Sequence, residues 1–419
     1  MNTAIITIGD ELLIGQIVNS NAAVIAADCT AIGCTIVAQS TIGDDAQSLI
    51  DELDRLRVHS SVLILTGGLG PTHDDITKAV LTNYFHDTLV QDNAWLEHLR
   101  AWMLMRGREL SERNALQAML PSTCMTLANP LGTAPGMLFD RDGIVLISLP
   151  GVPDEMKGLM QQHVLPYLER MLEVRNDASW EYRTLYSTGI PEAYLADRIG
   201  DPTVFLHGST LAFLPNAYGV RMRVGAQARG HDERASELDR VEAFLQERAG
   251  RWIYGSGRTS LSQRVGELLK EHGGTVAVAE SCTGGLLGAA LTDVAGSSAY
   301  FEGGILSYSN DVKVRELGVS ASDIDKHGAV SEAVARQMCD GVRSRFGTTY
   351  GIGITGVAGP DGGTEEKPVG TVWIGVAGPT KTVTKLHRFG PDRRNNRERS
   401  VAAALAMLWR LMQGGDDNA

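Results

Sequence analysis

The chain has 419 residues, enough for about three domains, which excludes a single small scaffold held together by disulfides. Its 38 lysines and arginines face 50 acidic residues, and the net charge of -12 gives no overall attraction for a polyanion such as nucleic acid. The five cysteines form no C-x-x-C pair, which argues against a disulfide framework and a thiolate zinc site. Since no apolar run approaches the roughly 18 residues of a membrane helix, we expect a cytoplasmic protein.

Residues 1–168 alternate short apolar runs with helical patterns, which predicts an α/β layer architecture. Apolar residues have helical spacing from Asn21 to Ala31 and from Asp44 to Leu56. Three apolar runs that end in glycine are predicted to be buried parallel strands: AIITIG, SVLILTGG and IVLISLPG. We therefore expect a doubly wound sheet in this first domain, with ligand loops outside the carboxyl ends of its strands.

Two of these strand ends carry residues suited to a phosphate and to a metal ion. The backbone N–H groups of Gly67, Gly68 and Gly70 can face a phosphate. Three carboxylates can hold a hard divalent cation through oxygen: Asp10, Asp74 and Asp75. For Asp74 and Asp75 the alternative is a cap on the helix predicted over DDITKAVLTNYF.

The segment 171–250 has strand-like pieces followed by the amphipathic stretch HDERASELDRVEAFLQERAG, which predicts a small α+β module. It holds nine arginines, no lysine and twelve acidic residues, and it lacks a G-x-x-G tetrapeptide that would clamp backbone nucleotides. We expect a connector that does not bind nucleic acid directly. A Gly/Ser hinge follows at 254–259, and Ser260 with Gln263 predicts a capping box for the next helix.

A third domain, residues 257–415, again alternates strands and helices. In TVAVAESCTGG a strand runs directly into a predicted helix, so Ser281, Cys282 and Thr283 fall at the strand-to-helix turn. Unpaired helix N–H groups at such a turn can hold an oxyanion or a phosphate beside a nucleophile. An ordinary helix cap has the same composition, and the spacing alone leaves both interpretations open.

Two further segments of the third domain carry groups for proton transfer and anion binding. GGILSYSNDVK places Tyr308 and Lys313 just past a strand, where a desolvated lysine can take the proton of a serine hydroxyl. A solvated surface lysine is the alternative. The loop GITGVAGPDGGTEEKPVGT offers successive N–H groups as an anion nest, and Thr355 and Thr364 add hydroxyl donors. A merely flexible loop is the alternative there.

These motifs resemble the C-terminal domain of the CinA family, the competence/damage-inducible protein A family. The resemblance rests on AESCTGG, GGILSYSNDVK, HGAVSE and GITGVAGPDGGTEEKPVGTV. It implies a cofactor-free deamidase that hydrolyses nicotinamide mononucleotide to nicotinate mononucleotide and ammonia. By motif match Ser281 is the nucleophile, with Lys313 and Tyr308 as its basic and proton-handling partners, and Cys282 is the rival nucleophile. The implied substrate-binding residues are Cys282, Thr283, Gly284, Gly285, Thr355, Gly356, Ala358 and Gly359.

The N-terminal segments IGDELLIGQIVNSN and TGGLGPTHDDIT, with NPLGTAPGM and LPGVPDEM, resemble the molybdopterin-binding-like domain of the same family. Residues 171–250 resemble its KH-like connector, so the resemblance covers essentially the whole chain. For full-length members it implies metal-dependent cleavage of ADP-ribose to AMP and ribose 5-phosphate, with Mg²⁺, Mn²⁺ or Co²⁺ as the metal and K⁺ as a further candidate. The implied substrate-binding residues are Gly67, Gly68, Gly70, Thr72, Gly132 and Thr133, and the implied metal ligands are Asp10, Asp74 and Asp75.

The resemblance thus implies a homodimeric, bifunctional hydrolase of pyridine-nucleotide recycling whose two sites lie in separate domains. Two alternatives stay open. In the first, the N-terminal domain binds a pterin and hydrolyses nothing. In the second, the protein is a non-catalytic adaptor for DNA uptake or repair, although the acidic charge and the missing G-x-x-G tetrapeptide argue against direct contact with nucleic acid.

Overall fold

The chain folds into two compact units. The computed structural model describes residues 1–72, 75–175, 179–228 and 230–414. The first unit comprises Met1–Tyr182 and Gly225–Glu237, and the second comprises Arg183–Val224 and the chain from Leu238 onward. Within the described ranges, no helix combines the length and the apolar character needed to cross a membrane.

Residues 1–175 form an α/β domain. Its strands are β1 (Asn2–Ile8), β2 (Thr35–Ile42), β3 (Val62–Thr66), β4 (Leu89–Gln91), β5 (Met119–Pro121), β6 (Met125–Leu127), β7 (Gly136–Arg141) and β8 (Ile144–Leu149). Its helices are α1 (Asp10–Leu13), α2 (Ser20–Ala31), α3 (Ala46–Arg57), α4 (Thr77–Tyr84), α5 (Asn93–Met105), α6 (Glu112–Ala115), α7 (Pro153–Leu159) and α8 (Leu165–Arg175). The side chains of Asn19, Asp45 and Asp92 cap α2, α3 and α5 by accepting from the N–H three residues on.

The central sheet of this domain has the strand order β2-β1-β3-β8-β7-β6. β1 is parallel to β2 and β3, β3 is parallel to β8, and β7 and β6 continue the sheet as antiparallel strands. One face packs on α2 and α7 and the other on α3 and α4, so β3 and β8 are buried at every position. The predicted doubly wound sheet is therefore confirmed, and its parallel strands end at a common edge.

The connector region contains one more helix than the sequence predicts. Its elements are β9 (Ser179–Ser187), α9 (Glu192–Ile199), β10 (Thr210–Asn216), β11 (Gly219–Ala228), α10 (His231–Ala249) and β12 (Ile253–Ser256). The strands form a sheet in the order β10-β11-β9-β12. The short helix α9 escapes the sequence pattern because it buries only Leu195 and Ile199.

The last domain is a second α/β layer structure. Its elements are α11 (Leu261–Glu271), β13 (Val276–Glu280), α12 (Leu286–Thr292), β14 (Phe301–Leu306), α13 (Asn310–Leu317), α14 (Ala321–His327), α15 (Glu332–Phe346), β15 (Tyr350–Gly356), β16 (Thr371–Ala377), β17 (Thr382–Arg388) and α16 (Arg393–Met412). At the start of α11, Ser260 Oγ accepts from the Gln263 N–H, while the Gln263 side chain donates to Glu267. Only half of the predicted capping box forms.

Five strands of this domain form a sheet in the order β14-β13-β15-β16-β17. β13 is parallel to β14 and β15, whereas β16 and β17 are antiparallel additions. The large apolar core between the sheet, α11 and α16 lies on one face, and α15 covers the other. This rigid frame fixes where the motif-bearing loops leave the sheet.

Candidate active site

Three neighbouring parallel strands end at one level and bring the C-terminal motifs together. Glu280, the last residue of β13, pairs with Leu306 of β14 and Ile354 of β15. The segments that follow these strands begin at Ser281, Ser307 and Val357. They leave the sheet at the same edge, where ligands bind in open α/β sheets.

A buried lysine contacts the serine that the sequence singles out. Lys313, on α13, is 1% exposed, and its Nζ lies 3.2 Å from Ser281 Oγ. The same nitrogen donates to the Ser307 carbonyl at 2.7 Å. Burial lowers the pKa of Lys313, and only the nearby Cys282 opposes this shift. The solvated-lysine alternative is therefore wrong, and this amine is suited to accept a proton.

The turn between β13 and α12 is held by a residue that the sequence analysis passed over. Glu280 is 1% exposed, and its carboxylate accepts from the N–H groups of Gly285, Leu287 and Gly288 at 3.0, 3.1 and 2.8 Å. The first N–H groups of α12 are thus already bonded and cannot hold an oxyanion. Nor does Ser281 cap the helix, since α12 begins only at Leu286.

Other donors on the same turn face no main-chain partner. In the part of the chain that the structure describes, the N–H groups of Cys282 and Thr283 make no backbone hydrogen bond. Thr283 Oγ1 is also buried, with no hydrogen-bond partner among the described residues. The Gly284 N–H bonds back to the Ser281 carbonyl at 3.2 Å and closes the turn. The N–H groups available for an anion therefore lie on this turn and not on the helix that follows it.

Cys282 does not have the properties of a nucleophile. Its side chain is 7% exposed, and burial raises the pKa of its thiol to about 11, with Glu280 adding to the rise while Lys313 and Arg393 oppose it. A thiol with such a pKa carries almost no thiolate at neutral pH. The balance between the two candidates therefore favours Ser281.

Tyr308 is not brought into the serine–lysine pair. Its side chain is 68% exposed, and only its main-chain carbonyl approaches Lys313 Nζ, at 3.4 Å. Its hydroxyl makes no hydrogen bond to any described residue. A proton-handling role for Tyr308 stays a prediction that depends on its ring meeting bound substrate.

The loop between β15 and β16 is held by its own hydrogen bonds. The Val357 N–H donates to the Thr371 carbonyl and the Gly370 N–H to the Val357 carbonyl, both at 2.8 Å. Of the two predicted hydroxyl donors, Thr355 is engaged, since it donates to the Ala329 carbonyl at 2.8 Å. Thr364 Oγ1 accepts from the Lys367 N–H and keeps its own hydrogen to donate. An anion nest in this loop therefore has main-chain N–H groups and the Thr364 hydroxyl as its donors.

Gly359 has a structural reason to be glycine that is separate from ligand binding. Its φ is +91°, and a Cβ there would come 2.5 Å from Val369 Cγ1. Its neighbour Ala358 is 5% exposed, and Gly356 packs closely against Val372. A bulky side chain at 359 would distort the loop itself, so it cannot report cleanly on phosphate binding.

The start of α16 adds three polar residues that the sequence analysis missed. Arg393 donates to the Gly359 carbonyl at 2.7 Å, and Asn396 donates to the Ala358 carbonyl at 3.0 Å. Arg397 donates twice to the Thr283 carbonyl, at 3.2 and 2.7 Å. The sequence carries a signal for them, because the run RRNNRER puts cations at a helix N-terminus, where the helix dipole disfavours them.

The N-terminal domain has a cavity of about 390 Å³ at the carboxyl ends of its strands. Gly67, Gly68, Gly70 and Thr133 line it as the sequence predicts. Four carboxylates line the same cavity: Glu11, Asp44, Asp75 and Glu155. Of these, the sequence analysis proposed only Asp75 as a metal ligand. Burial raises the pKa of Glu155, while a hydrogen bond from Asn129 opposes the shift.

The predicted phosphate donors of this cavity are partly engaged within the protein. The Gly67 N–H donates to the Leu149 carbonyl at 3.1 Å, and the Gly70 N–H donates to Asp75 at 2.6 Å. Of the three glycines, only Gly68 has an N–H group that bonds to no described residue. Gly67 is required by close packing, since a Cβ there would come 2.2 Å from the Ile8 carbonyl oxygen.

Asp75 stabilises its own loop. Its carboxylate accepts from the Thr72 N–H at 2.8 Å and from the Thr72 hydroxyl at 2.5 Å, in addition to the Gly70 N–H. It does not cap α4, whose N-cap position is Ile76 and has no side-chain cap. Gly132 packs against Glu155, and Thr133 accepts from the Trp95 ring N–H at 3.3 Å.

The proposed metal ligands are not gathered into one cluster. Asp10 faces Asp44, with each backbone N–H directed at the other's carboxylate at 3.1 and 3.3 Å. Asp74 lies outside the described residues. Across those residues, no three His, Cys, Asp or Glu side chains stand close enough to hold a metal ion. Metal binding stays a prediction.

Comparison with known proteins assigns the family. The sequence matches three family models in order: the "Probable molybdopterin binding domain" over 4–170, the "Damage-inducible protein CinA KH domain" over 182–255 and the "CinA C-terminal domain" over 258–412. The CinA-like protein of Salinibacter ruber is 42% identical over 407 residues, which cover 97% of this chain and 98% of the relative. The chain belongs to the CinA family.

A second CinA-like protein, from Gemmatimonas aurantiaca, is 43% identical over 423 residues, covering 100% of this chain and 98% of the relative. The crystal structure of the competence/damage inducible protein CihA from Agrobacterium tumefaciens is 39% identical, covering 35% of this chain and 91% of that chain, with a TM-score of 0.35. The family models and the two relatives confirm the resemblance to CinA drawn from the sequence motifs, with its molybdopterin-binding-like and KH-like parts. These names give no reaction, so the activity has to be argued from the chemistry of the site.

Proposed function

We propose that the C-terminal domain is a serine–lysine amidohydrolase that deamidates nicotinamide mononucleotide. One observation carries the proposal: a lysine that is 1% exposed lies 3.2 Å from the hydroxyl of a serine at a strand end. Burial disfavours the charged form of a lysine, so a lysine with only a structural role is normally left exposed to solvent. A lysine that serves as a base needs this burial, because it lowers the pKa of the amine. The nicotinamide nucleotide as substrate comes from the CinA resemblance.

In the proposed reaction, neutral Lys313 takes the proton of Ser281 while Oγ attacks the carboxamide carbon. The carbonyl oxygen becomes an oxyanion that the free N–H groups of Cys282 and Thr283 can stabilise. Collapse of the tetrahedral intermediate breaks the C–N bond, and protonated Lys313 returns the proton to the leaving ammonia. Water, deprotonated by the same amine, then hydrolyses the ester and releases the carboxylate and Ser281.

The charges around the pair suit a nucleotide substrate. Arg393 and Arg397 use part of their donors on the Gly359 and Thr283 carbonyls, which fixes both guanidinium groups beside the catalytic turn. Each guanidinium keeps further donors, since it has five N–H groups in all. We propose that these cations and the main-chain N–H groups of the loop after β15 attract the 5′-phosphate.

The test is ammonia release by the purified full-length chain supplied with nicotinamide mononucleotide. We expect Ser281→Ala to abolish release, and the matched control Ser298→Ala, at an exposed serine of the same domain, to keep the wild-type rate. An active Ser281→Ala protein, or a wild-type protein that releases no ammonia, would refute the proposal.

The carboxylate-lined cavity of the N-terminal domain favours a second activity. We propose that it is metal-dependent hydrolysis of the pyrophosphate bond of ADP-ribose. Glu11 and Asp44 on the cavity wall offer the carboxylate oxygens that a hard cation prefers, and since no three such side chains converge among the described residues, substrate oxygens would have to complete its coordination. A bound divalent cation would neutralise charge on the phosphoanhydride as it breaks. We propose that Glu155, whose pKa is raised by burial, supplies a proton to the leaving phosphate.

The corresponding test measures AMP formation from ADP-ribose with and without Mn²⁺. Glu155→Gln should lower this activity while ammonia release is unchanged, and Asp154→Asn, at the exposed neighbouring carboxylate, should leave both activities intact. If the wild-type chain forms no AMP with any divalent cation, the pterin-binding alternative is favoured.

A further inference from the structure

A cavity of about 870 Å³ lies within the second compact unit, apart from the serine–lysine pair. Its walls come from β9, β11, β12, α11 and the end of α12. Among the described residues, its lining shares none with the proposed amidohydrolase site. The volume falls in the range of small-molecule binding sites, so the chemistry of the walls decides what it can hold.

Three tyrosines make one wall aromatic. Tyr186 and Tyr254 have ring centroids 5.8 Å apart at an interplanar angle of 33°, and Tyr218 lines the same space. Burial raises the pKa of Tyr254 to about 12, so its hydroxyl stays a donor. In the described part of the chain, none of the three hydroxyls bonds to another protein group. Flat rings stack on such side chains, which keep polar edges for hydrogen bonds.

Two cations on the cavity wall have no acidic partner among the described residues. Arg221 and Lys270 line the cavity, and within the described ranges neither forms an ion pair. The carboxylate of Glu267 is already paired with Arg264, at 3.2 Å. Arg221 lies near enough to Tyr254 for its charge to oppose the rise in that pKa. An anionic group is therefore expected beside the aromatic wall.

One acidic side chain, Asp293, offers a hydrogen-bond acceptor on the cavity wall. Asp293, just after α12, lines the cavity and contributes to the raised pKa of Tyr218, although burial is the larger cause. It forms no ion pair with a described residue. A carboxylate in this position can accept from the two hydroxyls of a ribose, as acidic residues do in dinucleotide sites.

We propose that this cavity is a second nucleotide site that binds a nucleoside monophosphate. The base stacks on the tyrosine wall, the ribose hydroxyls donate to Asp293, and the phosphate pairs with Arg221. An apolar ligand would leave the charged groups unpaired, and a bare phosphate would leave the aromatic wall unused. The proposal concerns binding and does not depend on either hydrolase activity.

Photoaffinity labelling of the full-length chain with 8-azidoadenosine 5′-monophosphate tests the location. We expect mass spectrometry to find the label on peptides that contain Tyr218 or Tyr254, and excess AMP to suppress it. Labelling confined to residues 1–172 or to the segment 281–313, or labelling of the tyrosine peptides that AMP does not reduce, would overturn the proposal.

Competition at those peptides tests the chemistry. Arg221→Ala should weaken competition by AMP about tenfold and leave adenosine unaffected, because only the phosphate contact is lost. Tyr218→Ala should weaken both competitors, whereas Tyr194→Ala, at an exposed tyrosine of α9, should change neither. Ribose 5-phosphate alone should compete poorly. Unchanged competition in both cavity variants, at wild-type melting temperature, would refute the assignment.

Discussion

Glu280 provides a stringent test of how the turn that carries Ser281 is built. Its buried carboxylate accepts from three N–H groups at the start of α12, so it fixes the segment that carries Ser281. The substitution Glu280→Gln keeps the shape and removes the charge. The amide oxygen can still accept from Gly285 and Leu287, which share Oε2, but the amide nitrogen now faces the Gly288 N–H, to which Oε1 was bonded at 2.8 Å.

The cost can be worked from these contacts. One hydrogen bond to a charged group is lost, which is about 1.5–3 kcal/mol, and the favourable interaction of a negative charge with the helix N-terminus adds up to about 1 kcal/mol. We therefore expect local opening of the turn to become easier by about 2–4 kcal/mol. At 1.4 kcal/mol for each factor of ten, amide exchange from the opened state should accelerate by roughly 30- to 700-fold.

Hydrogen exchange followed by mass spectrometry measures this directly on a peptide that spans residues 281–292. Glu302→Gln, at an exposed glutamate of β14, is the matched control and should leave exchange in that peptide unchanged. Wild-type exchange in the Glu280→Gln chain would show that the carboxylate does not hold the turn, and the assignment of its role would be wrong.

Four further predictions concern the chemistry. Lys313→Met should lower ammonia release by about 10²–10⁴-fold, the usual contribution of a general base, without unfolding the domain. In the wild type, kcat/KM should rise with pH through the lowered pKa of Lys313, because only the neutral amine accepts the proton. Between that pKa and the ordinary value of 10.5, the unfolded chain binds the proton more tightly than the folded chain does. The stability of the wild type relative to Lys313→Met, measured by urea unfolding, should therefore rise with pH over this range. A flat pH profile would contradict a lysine base. Cys282→Ala should keep most of the activity, and its inactivity would move the nucleophile to the thiol. Nicotinamide riboside should be a far poorer substrate than the mononucleotide in kcat as well as KM, and comparable kcat/KM values would exclude a phosphate site.

The sequence predicts which segments meet, because parallel strands end at one edge of a sheet. Ser281 and Lys313 are 32 residues apart in the chain, yet each follows one of two paired strands, and the structure brings them into contact. The same reasoning places Gly67 and Gly68 in the N-terminal cavity. Which residues lie at the end of a strand can thus be predicted from the sequence pattern alone.

The sequence does not predict which hydrogen-bonding groups are already engaged. In the sequence, Glu280 looks like an ordinary strand residue. Only the geometry of the turn shows that its carboxylate accepts hydrogen bonds from N–H groups at the start of α12. Asp75 is a residue type that can bind a metal ion or cap a helix, but its carboxylate oxygens accept hydrogen bonds from N–H groups of its own loop. Arg393 and Arg397 lie more than a hundred residues beyond the serine, and their contacts depend on how α16 packs on the sheet.

The most direct test of the central claim is to trap the covalent intermediate. The wild-type chain is mixed with nicotinamide mononucleotide, quenched in acid within the first turnover and digested, and the peptides are examined by mass spectrometry. A serine nucleophile predicts an ester of the nicotinate mononucleotide acyl group on Ser281, absent from Ser281→Ala. An adduct on Cys282, or turnover by the Ser281→Ala chain, would contradict the proposed mechanism.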